Sequence, residues 1–184
     1  MKKIGIIGGG AMGSGIAQVF AQAGHPVVLF DTNQEALDRS KQNLAKTFDK
    51  LVAKQKYTAE QAQEIQHKIE YADSLSAFAN IDLMIEAIIE NVDIKKSVFK
   101  QVEEIVSDEC ILASNTSSLS IASIASACSK PERVIGIHFF NPAPLMALVE
   151  IIPAVQTKEG LAEEVKTLIQ SVGKLPVITK DTPG

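Results

Sequence analysis

The chain of 184 residues carries 18 basic and 22 acidic side chains, which gives a net charge of −4. This balance provides no general attraction for nucleic acid or for an anionic membrane surface. The length favours one domain, or one domain and a fragment, and a hydrophobic content of 46% is enough for a full core.

Short apolar runs alternate with helical patterns along the chain. Strands are predicted at residues 3–8, 27–30, 81–85, 111–113, 134–139, 148–152 and 176–178. Helices are predicted at 11–23, 34–55, 93–106, 121–127 and 159–172, and another follows the capping-box sequence TAEQ at 58–61. The alternation predicts an α/β fold with a doubly wound, mostly parallel sheet. The helices within residues 34–70 are predicted to form a projecting hairpin rather than a standard crossover.

Glycine and charged residues within the apolar runs indicate where in the cell the protein is expected to be. The N-terminal MKKIGIIGGG is interpreted as a strand entering a loop, not as an export signal, because four glycines lie in it. Glu86, Glu90, His138 and Glu150 interrupt the other apolar runs before they reach the length of a membrane span. The two cysteines form no CxxC pair and no cluster of metal ligands. We therefore expect a cytoplasmic protein with neither a membrane partner nor a metal.

A glycine-rich loop, GIIGGGAMGSG, follows the first predicted strand and opens the first predicted helix. In the pattern Gly8-x-Gly10-x-x-Gly13, the glycines permit a tight turn, close approach of a pyrophosphate and close helix packing, in that order. The second strand ends in Asp31, where a carboxylate can accept hydrogen bonds from ribose hydroxyls and would repel a 2′-phosphate. The sequence therefore predicts NAD, rather than NADP, as the cofactor. The alternative is an ordinary turn with a solvated aspartate.

Four polar segments, EAIIEN, SNTSS, GIHFFNP and LVEII, follow or overlap apolar strands. Ligands of parallel sheets bind at the carboxyl ends of strands, so one crevice is expected to collect Glu90, Asn115, Ser117 and His138. Simpler roles remain open for several of these residues. His138 can be a core histidine, Glu150 a surface acid that spacing cannot pair with it, and Ser117 a helix cap.

Over the whole chain, the sequence resembles the L-3-hydroxyacyl-CoA dehydrogenase family, including the 3-hydroxybutyryl-CoA dehydrogenases. The resemblance is carried by GGGAMGSGIAQVFAQAGHPVVLFD, EAIIEN, ASNTSSLSI, GIHFFNPAPLMALVEII and KDTPG. It implies a Rossmann-like NAD-binding domain, here residues 1–184, and a helical dimerisation domain that this sequence lacks. It also implies hydride transfer between NAD and (S)-3-hydroxyacyl-CoA or 3-oxoacyl-CoA, in fatty acid β-oxidation or short-chain acyl-CoA metabolism.

The resemblance further implies roles for individual residues. His138 would be the catalytic base, Glu150 its partner, and Ser117 the hydrogen-bond donor to the reacting oxygen. An imidazole suits proton removal near neutral pH, and a carboxylate on its other nitrogen fixes the tautomer. Further cofactor contacts are implied for Ala11, Met12, Glu90, Lys95, Asn115, Ser117 and Asn141.

The resemblance also implies that the predicted hairpin contacts the CoA moiety of the substrate. Thr47 and Lys54 match family positions that contact the CoA nucleotide, and a lysine ammonium suits a 3′-phosphate. The alternative for these positions is an ordinary solvated helix face.

The final KDTPG is turn chemistry, so the chain is expected to be cut from a longer protein. In the family, DTPG continues into FIVNR, whose asparagine also serves the active site. A full-length member is expected to be a homodimer. This chain alone is expected to be mainly monomeric, with an exposed apolar patch, and could be inactive. Two alternatives stay open: an NAD-binding module without activity, and a sugar-acid dehydrogenase of the gulonate type from the same superfamily.

Overall fold

The computed structural model describes residues 1–182, so the end of the predicted Thr-Pro-Gly turn lies outside the described residues. Within this range the strands are β1 (Ile4–Ile7), β2 (Val27–Phe30), β3 (Ile69–Ala72), β4 (Leu83–Glu86), β5 (Ile111–Ser114), β6 (Val134–Phe139), β7 (Leu148–Pro153) and β8 (Leu175–Ile178). They form one sheet in the order β3-β2-β1-β4-β5-β6-β7-β8. Every neighbouring pair is parallel except β6 and β7. The predicted doubly wound, mostly parallel sheet is confirmed.

The helices begin and end largely where local signals predicted. They are α1 (Ala11–Gln22), α2 (Gln34–Ala53), α3 (Ala59–His67), α4 (Val92–Glu103), α5 (Ile121–Ala125) and α6 (Leu161–Ser171). Gly24, with φ at +95°, ends α1 in the left-handed conformation that glycine favours. The predicted capping box of α3 is present, since the Thr58 side chain accepts from the backbone N–H of Gln61 and the Gln61 side chain returns the contact.

Strand β3 was not predicted from the sequence. It pairs in parallel with β2 at the edge of the sheet, and its central Glu70 is exposed. It follows α3 almost directly, so the predicted hairpin, which ended at about residue 70, included its first two residues. The helices α2 and α3 do form a hairpin, but they also connect two neighbouring parallel strands. The expectation that they would not be a crossover was therefore wrong.

Helices cover both faces of the sheet. The core on one face includes Phe20 of α1, Phe48 of α2 and Ile169 of α6, and the core on the other face includes Phe99 of α4 and Ile124 of α5. Each of these side chains is fully buried. Because both faces are covered, the open surface at the carboxyl ends of the parallel strands is where ligands can reach the sheet.

Apolar side chains remain exposed at the β8 edge. Leu148 pairs with Leu175 in register, and Glu150 pairs with Val177. Leu175 is 66% exposed, and Val177 and Ile178 are also exposed. Only Pro176, the remaining residue of β8, is half-buried. An exposed apolar patch was expected from the sequence. That a second domain covers this patch stays a prediction.

The glycine loop between β1 and α1 requires glycine for steric reasons. Gly8 has φ at +117°, which side chains rarely adopt, and a Cβ there would overlap the carbonyl oxygen of Ala87. A Cβ at Gly13 would overlap the carbonyl oxygen of Gly8. These contacts explain why the loop can lie close to both β4 and the first turn of α1.

A Gly13→Ala substitution should lower the free energy of unfolding by roughly 1–3 kcal/mol or more, because backbone must move to admit the methyl group. Gly10→Ala is the matched control, since a Cβ at Gly10 meets no atom within 4 Å. It should change stability by less than about 1 kcal/mol. Urea unfolding followed by circular dichroism measures both effects, and equal stability of the two variants would contradict this assignment.

Candidate active site

The N-terminus of α1 is open to a ligand. Its N-cap residue is Gly10, which has no side chain to satisfy the first N–H groups, and the first turn carries no acidic residue. The positive end of the helix dipole therefore faces accessible space. This arrangement suits a pyrophosphate, as the glycine pattern predicted.

Asp31 follows β2, as predicted, and its carboxylate also fixes the glycine loop. One oxygen accepts from the backbone N–H of Gly9 at 2.7 Å, and the other accepts from that of Asn33 at 2.8 Å. Asp31 also lines a cavity of about 510 Å³. Its apolar walls include Phe30, Leu75, Ile88, Ile94 and Val98. An apolar cavity beside a carboxylate fits the adenine and ribose of a dinucleotide.

A second cavity, of about 300 Å³, collects most of the predicted polar residues. It is lined by Met12, Glu90, Lys95, Asn115, Ser117, His138 and Asn141, with Ala87, Ile88, Phe139 and Phe140. The expected crevice at the strand ends is therefore present. Gly8 and Gly10 line the adenosine cavity on the other side of the loop. Ala87 and Ile88, which follow β4, line both cavities, so the two cavities are adjacent, as the two ends of a dinucleotide require.

His138 and Glu150 form a hydrogen-bonded pair. They face each other in register on the antiparallel strands β6 and β7, and His138 Nδ1 lies 2.8 Å from Glu150 Oε2. The side chains are 14% and 33% exposed, so the pair is largely shielded from water. A carboxylate is a pure acceptor, so Nδ1 carries the proton and Nε2 of the neutral ring is the free acceptor.

Ser117 lies exposed in the loop after β5, where it lines the same cavity as His138. The alternative that it caps α5 is wrong, because Ser120 is the N-cap and accepts from the backbone N–H of Ser123. Asn115, which lines the same cavity, makes a further contact that was not predicted. Its side-chain oxygen accepts from the backbone N–H of Phe139 at 2.8 Å, which ties the end of β5 to the end of β6.

A buried ion pair supports the second cavity, and sequence reasoning missed half of it. Glu86, at the end of β4, is completely buried. One carboxylate oxygen accepts from Lys95 Nζ at 2.6 Å and from the backbone N–H of Ile88 at 2.7 Å; the other accepts from the Ser114 hydroxyl at 2.7 Å. The sequence marked Glu86 only as an interruption of an apolar run. The usable signal was an acid at a strand end with a lysine in the next helix.

The same network reaches the cavity surface through Glu90. Lys95 Nζ lies 3.1 Å from Glu90 Oε1, while Glu90 Oε2 accepts from the hydroxyl groups of Thr116 and Ser118. Burial raises the pKa of Glu90, but the hydrogen bonds from Thr116, Lys95 and Ser118 and the charge of Lys95 together bring it below its ordinary value. Glu90 is therefore an anion at neutral pH. Lys95, predicted to contact the cofactor, also forms ion pairs with two carboxylates, those of Glu86 and Glu90.

The two residues predicted to contact CoA differ in position. Thr47 lines a third cavity, of about 530 Å³, between α1, α2 and the segment Pro142–Leu145. Lys54 is the C-cap residue of α2, is exposed, and is not among the residues that line this cavity. The structure therefore associates Thr47, but not Lys54, with this cavity.

Residues 1–182 provide little support for a metal site, a cysteine nucleophile or a membrane-spanning helix. No group of three or more His, Cys, Asp or Glu side chains in this range could hold a metal ion. Burial raises the pKa of both cysteine thiols, Cys110 and Cys128, to about 12, so neither is a thiolate nucleophile at neutral pH. No helix in the same range is long and apolar enough to cross a membrane.

A Lys95→Met substitution should destabilise the protein by about 3–5 kcal/mol, because the Glu86 carboxylate would stay buried without its cation. Lys100→Met, at an exposed position of the same helix, is the control and should have little effect. The double variant Glu86→Gln/Lys95→Met should recover part of the loss, since no buried charge would remain. Urea midpoints measure all three, and a Lys95→Met variant as stable as the control would contradict the prediction.

Comparison with known proteins agrees with this geometry. The family model for the 3-hydroxyacyl-CoA dehydrogenase NAD binding domain matches residues 3–182. A probable 3-hydroxybutyryl-CoA dehydrogenase of Deinococcus radiodurans is 46% identical over 99% of this chain, and a 3-hydroxybutyryl-CoA dehydrogenase of Clostridioides difficile is 43% identical over the same share. This chain spans 65% of the length of each of these two relatives.

Solved structures extend the comparison. The 3-hydroxybutyryl-CoA dehydrogenase of Escherichia coli K12 is 40% identical, with a TM-score of 0.97 over all of this chain and 39% of that one. The (S)-3-hydroxybutyryl-CoA dehydrogenase of Ralstonia eutropha is 39% identical, with a TM-score of 0.96 over all of this chain and 65% of that one. The resemblance inferred from the motifs is confirmed. The chain belongs to the 3-hydroxyacyl-CoA dehydrogenase family and comprises its NAD-binding domain.

Proposed function

We propose that the full-length protein transfers a hydride reversibly between NAD and an (S)-3-hydroxyacyl-CoA or 3-oxoacyl-CoA. The observation that carries this proposal is the His138–Glu150 pair, whose His138 lines the same cavity as Ser117 and as Met12 at the start of α1. The relatives named above are 3-hydroxybutyryl-CoA dehydrogenases, so a short acyl chain is the favoured substrate.

The residues present fit NAD. Gly8, Gly10, Ala11, Met12 and Gly13 form the loop and helix terminus that would hold the pyrophosphate, and Asp31 would hold the adenosine ribose. The nicotinamide end would lie in the second cavity, where it would face the lining residues Glu90, Lys95, Asn115, Ser117 and Asn141. When bound, NAD supplies the site that accepts or donates the hydride.

His138 would act as the proton acceptor from the substrate hydroxyl. Glu150 holds the proton on Nδ1, which leaves Nε2 as the basic nitrogen. As the imidazole becomes positive, the adjacent carboxylate stabilises the charge at a shielded position. In the reverse direction, the imidazolium returns the proton to the carbonyl oxygen. The Ser117 hydroxyl would hold that same oxygen by a hydrogen bond.

The third cavity suits the thioester arm of the substrate. It adjoins the glycine loop and is lined largely by apolar groups, including Leu44, Leu51 and Pro144, with Thr47 as one of its polar members. We propose that the pantetheine arm lies here. Lys54, further along the exposed end of α2, would then be the cation for the 3′-phosphate of the nucleotide.

The other expectations remain proposals or alternatives. We propose a cytoplasmic location, a role in β-oxidation or short-chain acyl-CoA metabolism, a homodimer for the full-length protein and a monomer for the isolated domain. An NAD-binding module without activity would not need the His138–Glu150 pair in register, which argues against that alternative. A sugar-acid substrate of the gulonate type would be favoured if no acyl-CoA were reduced.

The full-length protein should oxidise NADH in the presence of acetoacetyl-CoA, as measured by nicotinamide absorbance. His138→Gln should lower kcat by at least about 100-fold, because the base is lost. Binding of NADH, followed by its fluorescence, should change little. His67→Gln is the matched control, since His67 is exposed on α3, and it should keep full activity. An active His138→Gln variant would refute the assignment of the base.

NADH should bind at least about tenfold more tightly than NADPH, a difference of roughly 1.4 kcal/mol, because Asp31 repels a 2′-phosphate. Asp31→Asn should narrow this difference, since it removes the charge but retains an oxygen for the N–H of Gly9. Fluorescence titration with both nucleotides measures the preference. Equal or tighter binding of NADPH by the unmodified protein would contradict the role of Asp31.

A further inference from the structure

Lys174 is a buried cation without an acidic partner among the described residues. It lies between α6 and β8 and is 8% exposed. Its ammonium group donates to the backbone carbonyl oxygens of Ala143 at 2.6 Å and Met146 at 2.7 Å. Within residues 1–182, no carboxylate lies within ion-pair distance of it. Burying an ammonium group costs free energy, so we expect the contacts of this one to have a role in the structure or the function.

Both carbonyl groups belong to the segment that joins β6 to β7, residues 140–147. The backbone N–H of the next residue, Leu175, donates to Ala147 of the same segment at 2.8 Å. Two consecutive residues therefore hold three carbonyl groups of one loop. The segment has its own turn, in which the N–H groups of Leu145 and Met146 both donate to the Pro142 carbonyl at 3.0 Å.

This segment forms one wall of the third cavity. Pro142, Pro144 and Leu145 line it opposite α2. The segment also packs against α1, where a Cβ built on Gly15 would lie 3.1 Å from Pro144 Cδ. The position of the wall therefore depends on the contact with α1, on the hydrogen bonds from Lys174 and on the hydrogen bond from the backbone of Leu175.

We propose that Lys174 is a positioning residue that fixes the 140–147 segment as the wall of the acyl-CoA cavity. The inference rests on the function proposed above. A lysine suits the task because its tetrahedral ammonium group can donate to two carbonyl oxygens at once. An apolar side chain would leave the buried carbonyl of Ala143 without a partner, which costs enough to displace the segment. The effect should fall on the substrate more than on the cofactor. The adenosine cavity includes no residue of this segment, and the nicotinamide cavity includes only its first two residues, Phe140 and Asn141, which precede the carbonyl groups that Lys174 holds.

The test uses the full-length protein with Lys174→Met, Lys174→Arg and, as matched control, Lys158→Met at an exposed position just before α6. Lys174→Met should raise the KM for acetoacetyl-CoA by roughly tenfold, in line with one lost buried hydrogen bond. The dissociation constant of NADH should change by less than about twofold. Lys174→Arg should recover part of the loss, and Lys158→Met should match the unmodified protein.

Hydrogen–deuterium exchange provides a second readout that does not depend on activity. In Lys174→Met, the amides of Leu145 and Met146 should exchange faster, while those of the central strands should not change. If the unmodified protein does not reduce acetoacetyl-CoA, the proposed function fails, and local exchange alone decides whether Lys174 fixes the segment. If Lys174→Met does not fold, the same measurements are made on Lys174→Gln, with the same expected results.

Two results would overturn the proposal. One is an unchanged KM together with unchanged exchange in a folded variant. The other is a parallel rise of exchange throughout the chain, with equal losses for NADH and acetoacetyl-CoA, which would make Lys174 a residue of general stability only.

Discussion

The buried carboxylate of Glu86 is the constraint on which the strand-end site depends. A carboxylate in the interior is tolerated only if its partners are all in place, and here Lys95, Ser114 and the backbone of Ile88 supply them. These partners come from α4, from β5 and from the loop after β4. The loops that carry Glu90 and Ser117 therefore keep one relative position, and the cavity between them exists before any ligand enters.

The reversal of one strand accounts for the catalytic pair. Parallel strands bring residues to one edge of the sheet, but long connections join these strands. The loops then decide which side chains meet at that edge. Because β7 returns antiparallel to β6, His138 and Glu150 become direct cross-strand neighbours. A shift of the register by one residue would put Val149 or Ile151 in place of the carboxylate, and the burial of both apolar side chains opposes such a shift.

Contacts between residues close together in the sequence could be predicted from it, whereas contacts between distant residues could not. The glycine pattern, Asp31 and the capping box at Thr58 depend on neighbours within a few residues, and the structure has them as predicted. Ser114 lies 28 residues from Glu86, and Ala143 lies 31 residues from Lys174, so no spacing rule identifies these partners. Strand β3 was missed for a similar reason, because pairing with β2 stabilises four residues that have no strong pattern of their own. The pairing of His138 with Glu150 was implied by family resemblance alone.

Pro176 gives the exposed β8 edge a property that its apolar side chains would not suggest. The N–H of Leu175 donates to Ala147, just before β7, and that of Thr179 donates to Ile151 of β7, so the alternation of a strand turns positions 176 and 178 outward. Proline has no N–H, and the outer edge of this short strand thus lacks one of its two donors. Another extended chain could not continue the sheet here with a full ladder of hydrogen bonds. The edge can accept a partner that packs on its side chains, while a strand added beyond β8 would lack the hydrogen bond that Pro176 cannot donate.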